Sequence, residues 1–269
     1  MGLSPRAVLT GGELTILGRI PAASNATLVC DAVLDDETAR CVYKPVRGEV
    51  PLWDFPDGTL AGREVASFLI SEALGWEVIP TTVSRDGPLG PGMVQRWVDT
   101  PDPDAFPARM DLVDLCPPGT APAGYRAILR ALDGRGDLVE LVHADDPRLL
   151  RMAVLDVVLN NADRKGGHVL EGVDGGVYGV DHGICLHTDN KLRTVLWGWA
   201  GEAIPGHLVA DVEALVDTLS SASAPLRGEL AEHITRAEIE ALVARATTVV
   251  TDPHMPLPPG HHPIPWPPF

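Results

Sequence analysis

The stretch "NNADRKGGHVL", residues 160–170, decides how this sequence is interpreted. It follows a nearly all-apolar run, residues 148–159, and precedes a hairpin-like stretch, "EGVDGGVYGVDHG", residues 171–183. Two amides, an acid, two cations, two glycines and a histidine directly after a core segment fit two interpretations. One is an ordinary turn at a helix end, and the other is the working loop of an enzyme. The stretch alone favours the turn, so the choice depends on the rest of the chain.

The segment before this stretch predicts a central helix. Asp146 is expected to cap its N-terminus, and Pro147 is expected at its first helical position. The residues that follow are apolar almost all round, which is typical of a helix buried at the centre of a domain. Asn160 and Asn161 are expected to close it.

The first hundred residues predict a sheet with one helix. Three runs within residues 13–46 are rich in β-branched and apolar residues and predict short strands. Helical spacing of apolar residues over 62–75 predicts a helix that Gly75 ends. Residues 77–99 predict two further strands around a turn of glycine and proline.

From residue 100 the composition changes to a proline-rich connector followed by predicted helices. One of these is "YRAILRAL", residues 125–132, and a capping-box pattern from Thr235 to Glu238 opens another. The last eighteen residues are dense in proline, so they can form neither a helix nor a central strand. The outline predicts an α+β fold with two lobes: a β-rich N-lobe over residues 1–99, a mainly helical C-lobe over residues 100–251, and a proline-rich tail over residues 252–269.

Composition limits the partners that this chain can have. The formal net charge is −16, so nucleic-acid binding is not expected, because neutralising phosphates needs a basic face. An anionic membrane surface would also repel the chain on average, so membrane docking is not expected. The sequence shows no signal peptide and no apolar window of about 18 residues, which favours a cytoplasmic protein. Its four cysteines are expected as free buried thiols, although Cys30 and Cys41 could face each other across a hairpin.

Lysine usage offers a clue to chemistry. Arginine supplies nearly all of the cations, and the only lysines are Lys44, Lys165 and Lys191. A compact ammonium on a flexible stem is not interchangeable with a planar guanidinium, so these positions suggest contacts that arginine cannot make. Chance is the alternative explanation for so few residues.

Transfer of a phosphoryl group from ATP requires a protein to position the nucleotide, hold metal ions and orient the acceptor hydroxyl. Protein kinases use a strand lysine, a helix glutamate, a catalytic-loop aspartate, an amide five residues later and a metal-binding aspartate. Each part has weaker explanations when it is taken alone. Glu64 could serve its helix dipole, and Glu72 on the same helix is a rival partner for the lysine. The chain nevertheless supplies a candidate for each part, in order: Lys44, Glu64, Asp163 with Lys165, His168 and Asp181.

A zinc hydrolase is a weaker alternative. His168, His182, Cys185 and His187 lie within twenty residues of one another. No pair of histidines has the spacing of HExxH, and the sequence contains no CxxC. The order of the phosphotransfer candidates is therefore the stronger pattern.

These motifs give the sequence a family resemblance. "DRKGGHVL … GVDHG" resembles the "DRxxxN … xDxG" pairing of the phosphatidylinositol 3- and 4-kinase superfamily. "GREVASFLISEALGWEVIPTT" is similar to its helix and strand, and "GMVQRWVD" looks like its hinge strand. The resemblance spans residues 14–185 and is closest to the type II phosphatidylinositol 4-kinases, the HipA-type kinases and small kinase-like proteins of actinobacteria. It implies a two-lobed protein-kinase-like fold.

The resemblance also implies ATP and a divalent metal, Mg or Mn, as cofactors. Lys44, supported by Glu64, would bind the α- and β-phosphates. Asp163 would orient and deprotonate the acceptor hydroxyl, and Lys165 would neutralise charge on the transferring phosphoryl group.

The remaining parts of the implied site hold the metal and the rest of the nucleotide. Asp181 and His168 would bind the divalent metal. A phosphate-covering loop and a hinge would complete the nucleotide site, with contributions from Ser24, Asn25, Gln95, Trp97 and Val98.

Two departures from the superfamily pattern matter. No GxGxxG is present, and His168 stands where the superfamily has asparagine. Imidazole suits Mn, Zn or Fe better than Mg, so the chain is either an active enzyme or a nucleotide-binding pseudokinase. Its acidic charge favours a phosphoacceptor protein or a soluble small-molecule acceptor over a phosphoinositide. Transfer of AMP from an inverted nucleotide is a further alternative.

Overall fold

A five-stranded antiparallel sheet forms the first part of the computed structural model, which describes residues 3–21, 25–102 and 110–269. The predicted strands are confirmed, and Ser24 lies outside the described residues. The spatial order is β1-β2-β3-β5-β4. The strands are β1 (Glu13–Arg19), β2 (Leu28–Leu34), β3 (Glu37–Pro45), β4 (Thr82–Gly87) and β5 (Gly90–Arg96).

Two helices pack against opposite faces of this sheet. Successive strand residues point to opposite faces, so Met93 packs in the same cluster as α2 (Leu60–Ala73), whereas Val94 packs in the same cluster as α1 (Pro5–Gly11). Helix α2 was predicted, and it ends where Gly75 adopts a φ of +66°. The short helix α1 was not predicted from the sequence.

A second sheet corrects the prediction of a helix at "YRAILRAL". These residues form strand β7 (Tyr125–Leu132), which pairs antiparallel with β8 (Leu138–Ala144), and β8 also pairs with β6 (Val113–Cys116). Eight residues are too few for periodicity to separate a strand from a helix. The deciding feature is the turn at residues 133–137, "DGRGD", where Gly136 adopts a φ of +86° and returns the chain as a hairpin.

The helical part of the chain begins at α3 (Pro147–Leu159). Asp146 accepts a hydrogen bond from the Arg148 N–H and Pro147 is the first helical residue, as predicted. Asn160 ends the helix in the left-handed conformation, with a φ of +54°. A small hairpin and three helices follow: β9 (Val169–Glu171), β10 (Val177–Gly179), α4 (Gly206–Ser220), α5 (Pro225–Ala231) and α6 (Arg236–Thr251).

The predicted α+β fold class is confirmed, with a β-rich first part and a mainly helical last part. Helix α3 lies at the centre of the larger hydrophobic core, and the predicted capping box of Thr235 and Glu238 opens α6. All four cysteines are buried and free, including Cys30 and Cys41, which face each other in register across β2 and β3. Within the described ranges, no helix is long and apolar enough to cross a bilayer.

Candidate active site

Side chains alternate between the two faces of strand β3, and this alternation places Lys44 in a cleft. Cys41 and Tyr43 point into the core under α1, so Val42 and Lys44 point to the opposite face and line the cleft. Tyr43 fixes this register, because its hydroxyl donates to the Gly90 carbonyl and its ring fills the space beside two strand glycines. The lysine side chain is therefore presented from a rigid strand.

Lys44 joins two carboxylates that come from distant parts of the chain. Its Nζ lies 2.7 Å from Glu64 Oε1 and 2.6 Å from Asp181 Oδ1. Glu64 lies in the second turn of α2 and is buried, whereas the side chain of Asp181 is 47% exposed. The second oxygen of Glu64 is buried without a hydrogen-bond partner among the described residues. The cluster is thus closed on the protein side and open toward the cleft.

The charges of this cluster oppose the cost of its burial. Burial lowers the pKa of Lys44, but the carboxylates of Glu64 and Asp181 outweigh it and raise that pKa above its ordinary value. Burial raises the pKa of Asp181, but Lys44 and His168 outweigh it and hold that pKa well below its ordinary value. Lys44 and Asp181 are therefore charged at neutral pH.

The loop after α3 presents Asp163 and Lys165 to the same cleft. The Lys165 ammonium lies 3.5 Å from Asp163 Oδ2, and the backbone N–H of Asp163 donates to Asn161 Oδ1 at 2.9 Å. Burial is the main cause of a raised pKa for Asp163, and the Lys165 charge opposes it. A carboxylate with a raised pKa is a stronger base, so Asp163 is suited to accept a proton.

His168 faces Asp181 across the cleft with its unprotonated nitrogen. Its Nδ1 lies 3.0 Å from the Asp163 carbonyl, which can only accept, so Nδ1 carries the proton and Nε2 carries a lone pair. Nε2 lies 3.4 Å from Asp181 Oδ2. Burial lowers the pKa of His168 to about 4, so the ring is neutral at neutral pH. A lone pair and a carboxylate that face each other in this way fit a cation between them.

A buried network under the loop was not recognised in the sequence. Arg164 binds both carboxylate oxygens of Asp156 in α3, and neither side chain is exposed. The guanidinium also donates to the carbonyls of His168 and Val180 and to Nε2 of His182. This network fixes the loop from below. Its signal was present, because an aspartate in an otherwise apolar helix needs a buried partner.

Asn161 connects the two sides of the loop. Its Nδ2 donates to Asp156 Oδ1 at 2.9 Å, while its Oδ1 accepts from the Asp163 N–H. It was predicted only to close the helix. Asn161 therefore links the buried Asp156 to the backbone of Asp163, whose side chain lines the cleft.

The cleft has a volume of about 460 Å³, which is within the range of ligand sites. Of the residues predicted to hold the nucleotide, Asn25, Gln95, Trp97 and Val98 all line it. The side-chain amide of Gln95 donates to Thr82 Oγ1 at 2.8 Å, and its backbone lies within the sheet between β3 and β4. Thr27 and Arg96, which also line the cleft, lie within the predicted phosphate-covering loop and hinge, whereas Ile20, Leu170, Val180 and Phe269 were not predicted to bind the nucleotide.

The backbone at Val98 is free to bind a ligand. The Arg96 and Trp97 N–H groups donate to the carbonyls of Thr81 and Arg40. Among the described residues, neither the N–H nor the C=O of Val98 has a hydrogen-bond partner. Free backbone groups beside a cleft are suited to recognise the edge of a planar base.

The structure decides between the two glutamates of α2. Glu72 pairs with Arg6 at 3.0 Å on the exposed surface, whereas Glu64 pairs with Lys44. The third lysine, Lys191, lies away from the cleft lining and donates to Asp54 at 2.9 Å. The rival pairing predicted as an alternative is therefore wrong, and only two of the three lysines face the cleft.

A zinc site of several side chains is absent from the part of the chain that the structure describes. No group of three or more His, Cys, Asp or Glu residues there is arranged to hold a metal ion. His182 instead accepts from Arg164, and Cys185 is fully buried. Two protein ligands, His168 and Asp181, still fit a metal that takes its other ligands from substrate phosphates and water.

Comparison with known proteins gives one clear relative. No family model matches the chain. Protein Rv2133c of Mycobacterium tuberculosis (strain ATCC 25618 / H37Rv) is 57% identical over 267 residues, which cover 98% of this chain and 95% of that protein. Among solved structures, the Helicobacter pylori proinflammatory kinase CtkA is similar with a TM-score of 0.42 and 10% identity, over 89% of this chain and 92% of that chain. A likeness at that level supports no assignment by itself.

Proposed function

We propose a phosphotransferase activity for this chain, which belongs to the family of the Mycobacterium tuberculosis protein Rv2133c. The enzyme moves the γ-phosphoryl group of ATP to a hydroxyl of a protein or a soluble small-molecule acceptor. The observation that carries the proposal is the position of Lys44, which bridges Glu64 and Asp181 in a cleft that Asp163 and Lys165 also line. Segments 20 and 137 residues from Lys44 converge on one ammonium group.

Each residue has a role that its surroundings support. Lys44 binds the α- and β-phosphates, and the buried Glu64 holds it in place. Asp163 orients the acceptor hydroxyl and takes its proton, and Lys165 stabilises charge on the transferring group. The free backbone at Val98 receives the adenine edge, and residues 1–99 form the nucleotide side of the site.

His168 and Asp181 would hold the divalent metal. When bound, a divalent ion neutralises the charge of the β- and γ-phosphates. The chain contributes the Nε2 lone pair of His168, fixed by the bond from Nδ1 to the Asp163 carbonyl, and the ionised Asp181. A ligand set with an imidazole favours Mn²⁺ over Mg²⁺.

We assign the chain to the phosphatidylinositol 3- and 4-kinase-like superfamily on its motifs. The net charge of −16 opposes docking on anionic lipid, so the acceptor is not a phosphoinositide. A nucleotide-binding pseudokinase is the second candidate, and the observation that favours it is His168 in place of the superfamily's asparagine.

Turnover of labelled ATP tests the proposal. Wild type is incubated with α-labelled or γ-labelled ATP and Mn²⁺ or Mg²⁺, and released and transferred label are counted. We expect γ-label turnover that is faster with Mn²⁺. Asp163→Asn removes the base and should lower it by about 10²–10⁴-fold. Asp217→Asn, an exposed aspartate outside the cleft lining, is the matched control.

Three results would contradict the proposal in different ways. Transfer of the α-label would indicate AMP transfer. Binding of nucleotide without turnover in either metal would favour the pseudokinase. Equal turnover in wild type and Asp163→Asn would mean that Asp163 is not the base.

A further inference from the structure

The proline-rich tail returns to the site instead of leaving the molecule. Its first part is held by backbone hydrogen bonds between residues 253–255 and residues 201–204. Its last part, residues 263–269, is held beside the loop after α3. Residues 256–262, of which 257–262 are exposed, connect these two attachments.

The last part of the tail is held through its carbonyl groups. The Pro263 carbonyl accepts from the Thr194 N–H at 3.2 Å and from the Trp197 indole N–H at 2.8 Å. The Pro268 carbonyl accepts from the Gly166 N–H at 2.7 Å. Four of its seven residues are proline and have no N–H, so they can only accept. Proline also restricts the chain before docking, which lowers the entropy lost on docking.

Phe269 packs directly on the catalytic loop. A Cβ atom added at Gly166 would lie 2.3 Å from a ring carbon of Phe269, so the ring occupies the space that any other side chain at 166 would need. Gly166 follows Lys165 in the chain, and Phe269 lines the same cleft as Asp163 and Lys165. An aromatic ring therefore lies next to the two groups that face the acceptor.

We propose that Phe269 is a specificity-determining residue that forms the wall of the cleft on the acceptor side. This inference rests on the proposed phosphotransferase function and adds an apolar surface to the acceptor side of its site. With the ring on Gly166, the acceptor must enter beside an apolar surface. The wall also limits the access of water to the γ-phosphate, which a kinase must restrict to avoid hydrolysis.

Lysine acylation tests the position of the wall without any activity. The chain has only three lysines, so labelling by an acylating reagent and mass spectrometry reads each one separately. In Phe269→Ala, Lys165 should be acylated several-fold faster than in wild type. Lys191, which pairs with Asp54 outside the cleft lining, should not change. Leu257→Ala, which removes an exposed apolar side chain from the same tail, is the matched control and should label like wild type.

A second variant tests the same contact without any substitution in the tail. Gly166→Ala keeps the backbone N–H but places a methyl group where the ring lies, so it should displace Phe269 and also raise labelling of Lys165. Unchanged labelling of Lys165 in both variants would overturn the proposal.

Hydrolysis of MnATP tests the effect of the wall on chemistry. Phe269→Ala should release phosphate several-fold faster than wild type, with unchanged affinity for ADP. Weaker ADP binding in Phe269→Ala would instead place the ring on the nucleotide side and overturn the assignment to the acceptor. If wild type binds no nucleotide, the proposed function fails, whereas the position of the wall is still decided by the labelling of Lys165.

Discussion

Two charged clusters lie on opposite sides of the loop between Asp163 and His168, and they differ in how completely their hydrogen bonds are made. Under the loop, Arg164 and Asp156 are fully buried, and the guanidinium has a partner for every nitrogen. In the cleft, Lys44 bridges two carboxylates, one of which is nearly half exposed. A buried ion pair whose cation is fully hydrogen-bonded holds a structure together, whereas an open cluster can exchange its partners for a ligand. Under the loop, only Nδ1 of His182 is buried without a partner among the described residues of this cluster. Asp163 and Lys165 line the cleft, whereas Arg164 between them points into the core, so the same loop contributes to both clusters.

Breaking the buried ion pair of Arg164 and Asp156 should have the largest effect on stability. Arg164→Leu leaves Asp156 buried without its cation, so the free energy of unfolding should fall by about 3–5 kcal/mol. Chemical denaturation measures this change. Arg193→Leu removes an exposed arginine from the neighbouring segment and should cost no more than about 0.5 kcal/mol. Similar losses in the two variants would show that the buried network is not what holds the loop.

Lowering the pH should weaken the cluster around Arg164, because His182 becomes protonated. Its pKa lies well below the ordinary value, chiefly because of burial and then because of Arg164. The unfolded chain therefore binds a proton near pH 6.5 that the folded chain does not, and stability falls as the pH drops below that value. Each such histidine adds about 1.4 kcal/mol per pH unit to the slope.

His182→Asn tests this contribution. The variant should have a shallower fall in unfolding free energy between about pH 6 and pH 5 than wild type. Burial also lowers the pKa of His143 and of His168 to about 4 and lowers the pKa of His233, so a residual slope from these histidines should remain. Denaturation curves at several pH values check this, and an unchanged slope in the variant would contradict the account of His182.

A smaller effect is expected at the third lysine. Lys191 donates to Asp54 and lies 5.2 Å from the centre of the Phe55 ring, outside the cleft lining. Lys191→Met should lower the free energy of unfolding by about 1 kcal/mol, because one partly buried ion pair and one cation–π contact are lost. Its thermal shift on adding MnATP should equal that of wild type. A reduced shift would assign Lys191 to the nucleotide site.

The smallest effect is expected at the surface pair of α2. Glu72 and Arg6 are each about half exposed, and such pairs contribute about 0–1 kcal/mol. Glu72→Gln should therefore leave stability and nucleotide binding close to those of wild type. Glu64→Gln, on the same helix, should weaken nucleotide binding, because Lys44 loses its buried partner. Equal nucleotide affinities in the two variants would remove the distinction between the glutamates.

Much of the fold was predicted from local sequence patterns, and the candidate site was predicted from the order of its residues along the chain. The caps of α3 and α6 were readable because each depends on residues within one helical turn. The residues that meet in the cleft were predicted from the order in which protein kinases place their functional residues along the chain. The strand at 125–132 was missed because its partner is set by a turn that follows it.

The features that the sequence did not reveal depend on contacts between distant residues. Arg164 is one of two cations in the stretch 160–170, and only the fold shows that it points into the core toward Asp156. The Phe269 ring packs on Gly166, which lies 103 positions earlier in the chain, and the neighbouring Pro268 carbonyl accepts from the Gly166 N–H. Neither periodicity nor composition encodes such a contact, although the prolines limited the shapes that the tail could take.

Calorimetric binding of ATP tests the central claim most directly, because the claim is that the open cluster of Lys44 and Asp181 is a nucleotide–metal site. Wild type should bind ATP more tightly with Mn²⁺ than without it. Lys44→Met should weaken binding by at least about tenfold, whereas Lys191→Met should bind like wild type. Binding that is absent in wild type, or equal in wild type and Lys44→Met, would contradict the account.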